Sequence, residues 1–311
     1  MKPGVPTASD EARLRGRHPM DFDTAVALIR RHDSYPELAI AVGESAETTY
    51  RKLAKLIHPD AAGDARSATA TEAFAKLSRL YAGREAKLSG AIADLTRSGQ
   101  ILRKVPREPR DNDLMEAEAA ALKTLQDKGD PKFRPYAPEL IKTYVHEDPQ
   151  RRRRVVNELE FLDGFVPLPA VEDWRDAAWM WRRLLVALGW AHRAGVVHGA
   201  IFEEHVLIHP GEHGLALVDW CYSSPRPTAV IAGKHYPPEV VRDKEITPAT
   251  DIYLATALMK RVIGDGMPAP LKRFADGCLF DAPRMRPQDA WRLLEELDEL
   301  LGPRKFRPFT I

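Results

Sequence analysis

Apolar residues recur at steps of three and four through much of the first 90 residues, which is the spacing that places side chains on one face of a helix. One stripe begins near Met20, a second lies in ETTYRKLAKLIHPD, and a third lies in TEAFAKLSRLYAGREAKL, residues 71–88, where Thr71 is a candidate N-cap. The stripes consist of Phe22, Val26 and Ile29; of Tyr50, Leu53, Ala54 and Ile57; and of Phe74, Leu77, Leu80 and Tyr81. The second and third stripes predict a helical hairpin around a loop that contains residues 58–60.

Short strand-like runs follow from about residue 90. They are AIADL, QILRKV, PELIKTYVH and RRVVNELEFL, and the helical segment LMEAEAAALKTL separates the second from the third. After Asp173 the pattern is mainly helical, with Trp181, Leu184 and Leu188 on one face of a long helix. Strands followed by helices predict the α+β class, with a bilobed body after the hairpin.

The same pattern divides the chain into four parts. Residues 1–19 are polar and read as a flexible tail, 20–88 as a small all-α module, 89–303 as the α+β domain, and 304–311 as a C-terminal tail. A chain of 311 residues is long enough for two domains.

Charge excludes some partner classes. The 46 Lys and Arg residues against 45 Asp and Glu leave a net charge of +1, so no global field attracts the chain to nucleic acid or to an anionic membrane. The run Arg151–Arg154 is more typical of a solvated strand edge than of a phosphate contact. No apolar run approaches the ~18 residues of a membrane span, and the first residues lack the apolar core of a signal peptide, so we expect a cytoplasmic protein.

Metal-ligating and aromatic residues have ordinary interpretations. Two cysteines, Cys221 and Cys278, are too few for a disulfide framework and are expected as buried thiols. The spacing of four nearby histidines favours surface loops over a metal site, and four tryptophans are expected to pack along one helix. These residues are His198, His205, His209 and His213, and Trp174, Trp179, Trp181 and Trp190.

The tripeptide His58-Pro59-Asp60 follows a helix that carries three cations, and an F-x-x-L-x-x-L-Y helix comes after it. Together these features, over about residues 35–85, resemble the J-domain of DnaJ-type co-chaperones. The resemblance implies that the tripeptide triggers ATP hydrolysis by a DnaK-type chaperone and that Arg51, Lys52 and Lys55 face an acidic patch on that partner. The alternative is that the tripeptide only ends the helix and that the cations form an ordinary solvated face.

Five motifs further along the chain stand in the order and approximate spacing of the eukaryotic-like protein kinases. They are VVHGAIFEEHVLI, LALVDWC, YPPEVV, TDIYLATALM and RMRPQDAW. The resemblance covers about residues 90–301 and implies a bilobed protein-kinase-like domain. It also implies scaffold roles for a buried pair, Glu239 with Arg286, and for Asp251, which would brace the catalytic loop.

The catalytic loop of that family reads H-R-D-L-x-x-x-N, and this chain departs from it. His198 remains, but Ala200 stands at the catalytic Asp position, His205 at the metal-binding Asn position and Phe202 at the loop Lys position. An alanine methyl group cannot accept a proton. We therefore expect a pseudokinase with no catalytic residue in this loop, unless Glu203, Glu204 or His205 serves as a displaced base.

Nucleotide-binding positions are better preserved. The resemblance implies that Lys104 pairs with nucleotide phosphates, that Glu118 holds this lysine, that Asp219 binds Mg²⁺, and that the segment Leu159-Glu160-Phe161-Leu162 is the adenine hinge. Gly90 and Gly99 do not form a G-x-G-x-x-G loop, so the backbone donors that cradle phosphates are missing. Binding of ATP with Mg²⁺, and an inherited ion pair without a ligand, both remain open.

These features lead to one hypothesis and two alternatives. The first is a co-chaperone or adaptor whose J-like module engages a DnaK-type chaperone while the kinase-like domain binds a client protein or nucleotide. The second is a divergent ATP-dependent protein kinase or nucleotidyl transferase that uses Lys104 and Asp219 with a non-standard base. The third is a scaffold that binds no nucleotide.

Overall fold

The computed structural model describes residues 20–32, 35–43, 46–59, 62–63, 66–82, 85–90, 92–148, 150–223, 227, 229–303 and 309. The chain forms two compact units that divide between Ala86 and Lys87, two residues before the boundary expected from the sequence. The expected tails lie outside the described residues, except Phe309. None of the described helices combines the length and the apolar character needed to cross a membrane.

The described residues of the first unit form four α-helices. They are α1 (Phe22–Arg31), α2 (Tyr35–Val42), α3 (Ala46–Leu56) and α4 (Ser67–Ala82). Asp21 caps α1, since its Oδ1 accepts the Thr24 N–H at 2.8 Å. The predicted apolar stripes meet in one core, in which Ile29, Leu53 and Leu77 are fully buried.

The fourth helix differs at both ends from the prediction. It begins at Ser67, and Thr71 lies inside it, where its hydroxyl donates to the Ser67 carbonyl at 2.9 Å and does not cap the N-terminus. The helix ends at Ala82, and Glu85–Ser89 forms strand β1 although EAKL favours helix. Pairing with a neighbouring strand overrides that local preference, because β1 completes the edge of a sheet.

Five strands form the sheet of the second unit, in the order β1-β2-β3-β5-β4. The strands after β1 are β2 (Ala93–Ser98), β3 (Ile101–Pro106), β4 (Leu140–Glu147) and β5 (Arg153–Glu160), and α5 (Asn112–Lys128) follows β3. β3 and β5 pair antiparallel, which places Lys104 opposite Asn157. Helix α5 packs against β4 and β5. This packing fixes the position of Glu118 on the helix relative to Lys104 in the sheet.

The arginine run does not form a sheet edge. β5 lies between β3 and β4, and Arg154 is buried with its guanidinium donating to the carbonyl oxygens of Pro106 and Arg107. The expectation of a solvated strand edge is therefore wrong for this residue, because a long side chain in an interior strand can satisfy backbone carbonyls of its neighbour.

The rest of the second unit is mainly helical, with a three-stranded antiparallel sheet. These elements are β6 (Val166–Pro167), α6 (Trp174–Arg193), β7 (Val206–His209), β8 (Gly214–Leu217), α7 (Pro238–Asp243), α8 (Pro248–Ile263), α9 (Ala269–Gly277) and α10 (Ala290–Leu301). α6 packs against α8 and α10, and Trp181 and Trp190 are buried along it. The expected packing of the tryptophans along one helix is confirmed, and the chain is of the mixed α+β class.

Candidate functional site

The first candidate site is the segment that follows α3. His58 is exposed, its ring meets Phe74 of α4 edge-on at 5.4 Å between centroids, and Pro59 comes next. Asp60 lies outside the described residues. Arg51 and Lys55 are exposed on α3 and Lys52 is half-buried, whereas Leu53 is turned into the core. One helix therefore anchors the hairpin with its apolar face and presents cations on its outer face.

The second candidate site is a buried cluster centred on the ammonium group of Lys104. Nζ donates to Oε1 of Glu118 at 2.8 Å, to Oδ1 of Asp219, and to Sγ of Cys221 at 3.1 Å. Strand β3 supplies the lysine, α5 supplies the glutamate, and the turn after β8 supplies the other two residues. A turn that lies more than 100 residues further along the chain thus meets the consecutive elements β3 and α5 at one ammonium group.

Asn157 and His205 extend this cluster. The Asn157 side chain donates to Oε2 of Glu118 and to the Met115 carbonyl, both at 2.9 Å, which fixes the carboxylate against α5. Nε2 of His205 lies 3.2 Å from Oδ2 of Asp219 without the alignment of a hydrogen bond. Both oxygens of Asp219 therefore face a nitrogen of this chain.

Electrostatics stabilises the charged forms of Lys104 and Asp219. Burial alone would lower the pKa of Lys104, but the negative charges around it, chiefly Asp219, outweigh burial and raise the pKa well above its ordinary value. Burial would raise the pKa of Asp219, but Lys104 and the nearby His205 hold it far below its usual range. Burial also raises the pKa of the Cys221 thiol, so this sulfur carries its proton at neutral pH.

The segment 198–205 is buried except at Glu203 and Glu204. Ala200 and His198 are fully buried, and His205 is 1% exposed. Nδ1 of His205 donates to the Ala200 carbonyl at 2.8 Å, which commits that ring nitrogen. Glu203 and Glu204 are exposed, and Glu204 pairs with Lys234 at 2.7 Å.

His198 is neutral in this environment. Its Nε2 donates to the Val218 carbonyl at 3.0 Å and its Nδ1 accepts the Ala200 N–H at 3.3 Å, so one tautomer satisfies both contacts. Burial lowers the pKa of His198 to about 4, and the attraction of Asp251 offsets only part of this effect. His198 is thus a structural residue of the loop.

Asp251, Glu239 and Arg286 make buried polar contacts in the second unit. Asp251 accepts the N–H groups of His198 and Gly199 at 2.8 Å each. Arg286 binds Glu239 through two hydrogen bonds of 2.6 and 3.1 Å, and both side chains are buried. Asp251 therefore fixes the loop backbone at His198 and Gly199, next to Ala200.

Gly199 shows why the loop is closed. Its φ is +76°, and an added Cβ would lie 2.6 Å from the Tyr222 carbonyl oxygen. Only glycine fits both the left-handed backbone and this close approach. The short turn Trp220–Tyr222 therefore packs directly against the loop at Gly199.

The hinge and glycine positions offer few free backbone groups. The N–H of Glu160 donates to the Glu139 carbonyl at 2.9 Å, and the N–H of Phe161 donates to the Gln100 carbonyl at 2.8 Å. Leu159 is buried, and the carbonyl of Leu162 accepts the Phe165 N–H at 3.3 Å.

Gly90 precedes β2 and Gly99 follows it. The N–H of Gly90 donates to the Ala93 carbonyl at 3.0 Å, and its own carbonyl accepts from Arg107 at 2.6 Å. Gly99 lies in the turn between β2 and β3 and has a φ of +61°. The backbone groups of Gly90 are thus already used within the chain.

A cavity of about 730 Å³ lies between α5, the segment 134–143, and the end of β5. Leu122, Leu125 and Trp190 provide apolar walls, and Glu160 and Leu162 contribute from the hinge segment. Lys104, Glu118 and Asp219 do not line it. The cavity is therefore separate from the buried cluster.

Sequence reasoning placed three histidines wrongly and missed two members of the cluster. His198, His205 and His213 are buried, not in surface loops, because the segments that carry them pack under the turn after β8 and against α6. Both cysteines are buried as expected, but the contact of Cys221 with Lys104 was not foreseen. Asn157 was missed as well, although a single amide in the apolar run of β5 was a usable signal.

No protein-family model matches the chain, and no curated protein matches it. What the molecule does is therefore inferred from its own residues.

Proposed function

We propose that the chain is a co-chaperone or adaptor. Its first unit engages a DnaK-type chaperone through the loop at His58, and its second unit is a bilobed, kinase-like body that transfers no phosphate and binds a client protein. ATP and Mg²⁺ are not required on this chain for such a role. The chaperone partner supplies the nucleotide chemistry.

The observation that carries the proposal is the exposure of His58, with the half-buried Pro59 next to it, at the end of a cationic helix. A proline fixes the backbone beside the imidazole, so the histidine is presented in a limited range of directions. Exposed cations such as Arg51 and Lys55 attract an acidic partner and orient its approach at little cost in stability. If residues 58–60 only ended the helix, there would be no need for cations on the outer face of that helix.

The second unit supports the adaptor role through what its loop has lost. Ala200 cannot accept a proton and is fully buried. Asp251 binds the loop backbone at His198, and Arg286 pairs with Glu239. These contacts favour a second unit that is retained as a binding scaffold.

The test is ATP turnover by a DnaK-type chaperone in the presence of the full chain. We expect stimulation by the wild type and its loss in His58→Gln, which removes the imidazole with little change in size. Arg79→Ala is the matched control, because Arg79 is an exposed cation of the same unit on α4 and not beside the loop. Absence of stimulation, or equal stimulation by wild type and His58→Gln, would refute the proposal.

The alternative transferase function has one favourable observation, which is the meeting of Lys104, Glu118 and Asp219. Its weakest part is the base, because Glu204 is paired with Lys234 and the ring of His205 is buried, which leaves the exposed Glu203 as the candidate. Transfer of radiolabel from ATP to the chain itself or to candidate proteins, lost in Asp219→Ala, would establish it in place of the adaptor role.

A further inference from the structure

The kinase resemblance implies Mg²⁺ at Asp219, but the residues present do not fit this ion. Mg²⁺ requires an octahedral shell made largely of oxygen ligands and water. Oδ1 of Asp219 accepts from Lys104, and Oδ2 faces Nε2 of His205 at 3.2 Å. His205 also stands at the position of the second metal ligand, with its other ring nitrogen committed to Ala200.

A different set of ligand atoms surrounds the ammonium. One carboxylate oxygen from Glu118, one from Asp219 and the sulfur of Cys221 all lie within 4.8 Å of one another. Nζ of Lys104 contacts all three. An ammonium group has three N–H donors, so it satisfies these three acceptors with one bond each.

We propose that Lys104 is the resident cation of a latent metal site, in which its ammonium takes the place that a divalent ion would occupy among Glu118, Asp219 and Cys221. In the native chain the ammonium excludes the metal. Without the lysine side chain, the same ligands can bind an ion. This inference does not rest on the chaperone proposal.

The ligand set selects the class of metal. A thiolate with two carboxylates suits Zn²⁺ or its spectroscopic substitute Co²⁺ and does not suit Mg²⁺ or Ca²⁺. These residues supply three protein ligands, and a water molecule would complete the four positions that are usual around zinc. His205 is not a member of this set, since its Nε2 lies 3.2 Å from the other oxygen of Asp219, Oδ2.

Metal binding requires one proton to leave. The Cys221 thiol loses its proton to solvent as the sulfur–metal bond forms, so one proton is released for each ion bound. A divalent charge in place of a monovalent one favours the thiolate more strongly than the ammonium does. Removal of Lys104 also removes the positive charge that would repel the incoming ion.

The experiment is titration of the full-length chain with CoCl₂, followed by absorption. We expect Lys104→Ala to bind one Co²⁺ with a thiolate-to-cobalt band in the near ultraviolet, and we expect this band to disappear in Lys104→Ala/Cys221→Ser. Zn²⁺ should displace the cobalt and abolish the band. Wild type and Lys123→Ala, which removes an exposed lysine of α5, should show no such band.

Three outcomes would overturn the inference. The first is a wild type that binds Co²⁺ with the same thiolate band as Lys104→Ala. The second is a Lys104→Ala chain with native circular dichroism that shows no band. The third is a Lys104→Ala chain that stays unfolded even with Co²⁺ present, because a filled site should replace the lost cation and restore the fold.

Discussion

The two candidate sites present their chemistry in opposite ways. In the first unit, the residues that matter stand outside the core, with His58, Arg51 and Lys55 exposed on a helical hairpin. In the second unit, Lys104 is 4% exposed and Glu118 is 1% exposed, and each is bonded to other side chains of the same chain.

Under the proposed function, this difference separates a surface that binds a partner from a buried cluster that stabilises the fold. Exposed cations contribute little to the free energy of folding, so they can be replaced to suit a partner. A buried ammonium between two carboxylates cannot be removed without a large loss of stability. A residue type that suggests chemistry in the sequence therefore has two distinct meanings here. Burial, and not residue identity, decides which one applies.

The largest test of this contrast removes the buried cation. Lys104→Ala leaves two carboxylates buried without their partner, and we expect the free energy of unfolding to fall by about 3–5 kcal/mol in metal-free buffer. Lys123→Ala, which removes an exposed lysine of helix α5, should change it by no more than ~0.5 kcal/mol. Denaturant titration measures both. Equal effects would contradict the structural role of Lys104.

The aspartate that the kinase pattern has at position 200 should also lower the free energy of unfolding when it is introduced there. Ala200→Asp places a carboxyl group at a fully buried position, and we expect a loss of roughly 3 kcal/mol together with no phosphoryl transfer. Thermal unfolding and radiolabel transfer from ATP are the measurements. Transfer by the folded variant would show that the loop is open in solution, and the contrast between the two sites would then fail.

Acid should weaken the second unit through His198. The folded pKa is about 4 and the ordinary value is 6.5, so the unfolded chain gains a proton in this interval while the folded chain does not. His198 makes its full contribution to the free energy of unfolding above pH 6.5. Between pH 6.5 and about pH 4 this contribution falls by at most ~1.4 kcal/mol per pH unit, and below that it levels off. His198→Gln should show a shallower slope in denaturant titrations across that range. Identical slopes would mean that His198 does not titrate as a buried neutral residue.

The smallest effect on stability belongs to the exposed cations. Arg51→Ala/Lys55→Ala should change the free energy of unfolding by no more than ~0.5 kcal/mol, yet reduce stimulation of the chaperone several-fold at low salt. The difference from wild type should shrink as salt rises, because exposed charges are screened. A salt-independent defect would indicate a packing role for these side chains.

Local patterns predicted much of the fold, and the reasons for the failures are physical. Helical spacing located the core residues Leu53 and Leu77, and strand-like runs located β2 to β5 within a few residues. Strand β1 was not predicted, because its sequence favours helix and only pairing with the neighbouring strand makes it extended. Arg154 was misplaced because its position in the interior of the sheet follows from strand order, which a run of four arginines does not reveal.

The buried cluster was predictable only in part. The pairing of Lys104 with Glu118 followed from the resemblance, and the structure brings both together. The contacts with Cys221 and Asn157 depend on how the turn after β8 and the register of β3 with β5 meet in space. The role of Asp60 stays a prediction, since this residue lies outside the described part of the chain.

The burial of both cysteines has a practical consequence. Cys221 and Cys278 are the only thiols of the chain, and each is 1% exposed, so a thiol reagent can react only when the surrounding structure opens transiently. The alkylation rate of Cys221 then measures how often the Lys104 cluster opens, and that of Cys278 reports the region between α9 and α10. The native sequence thus contains two separate kinetic reporters of local unfolding, and single-cysteine variants would distinguish them without an added label.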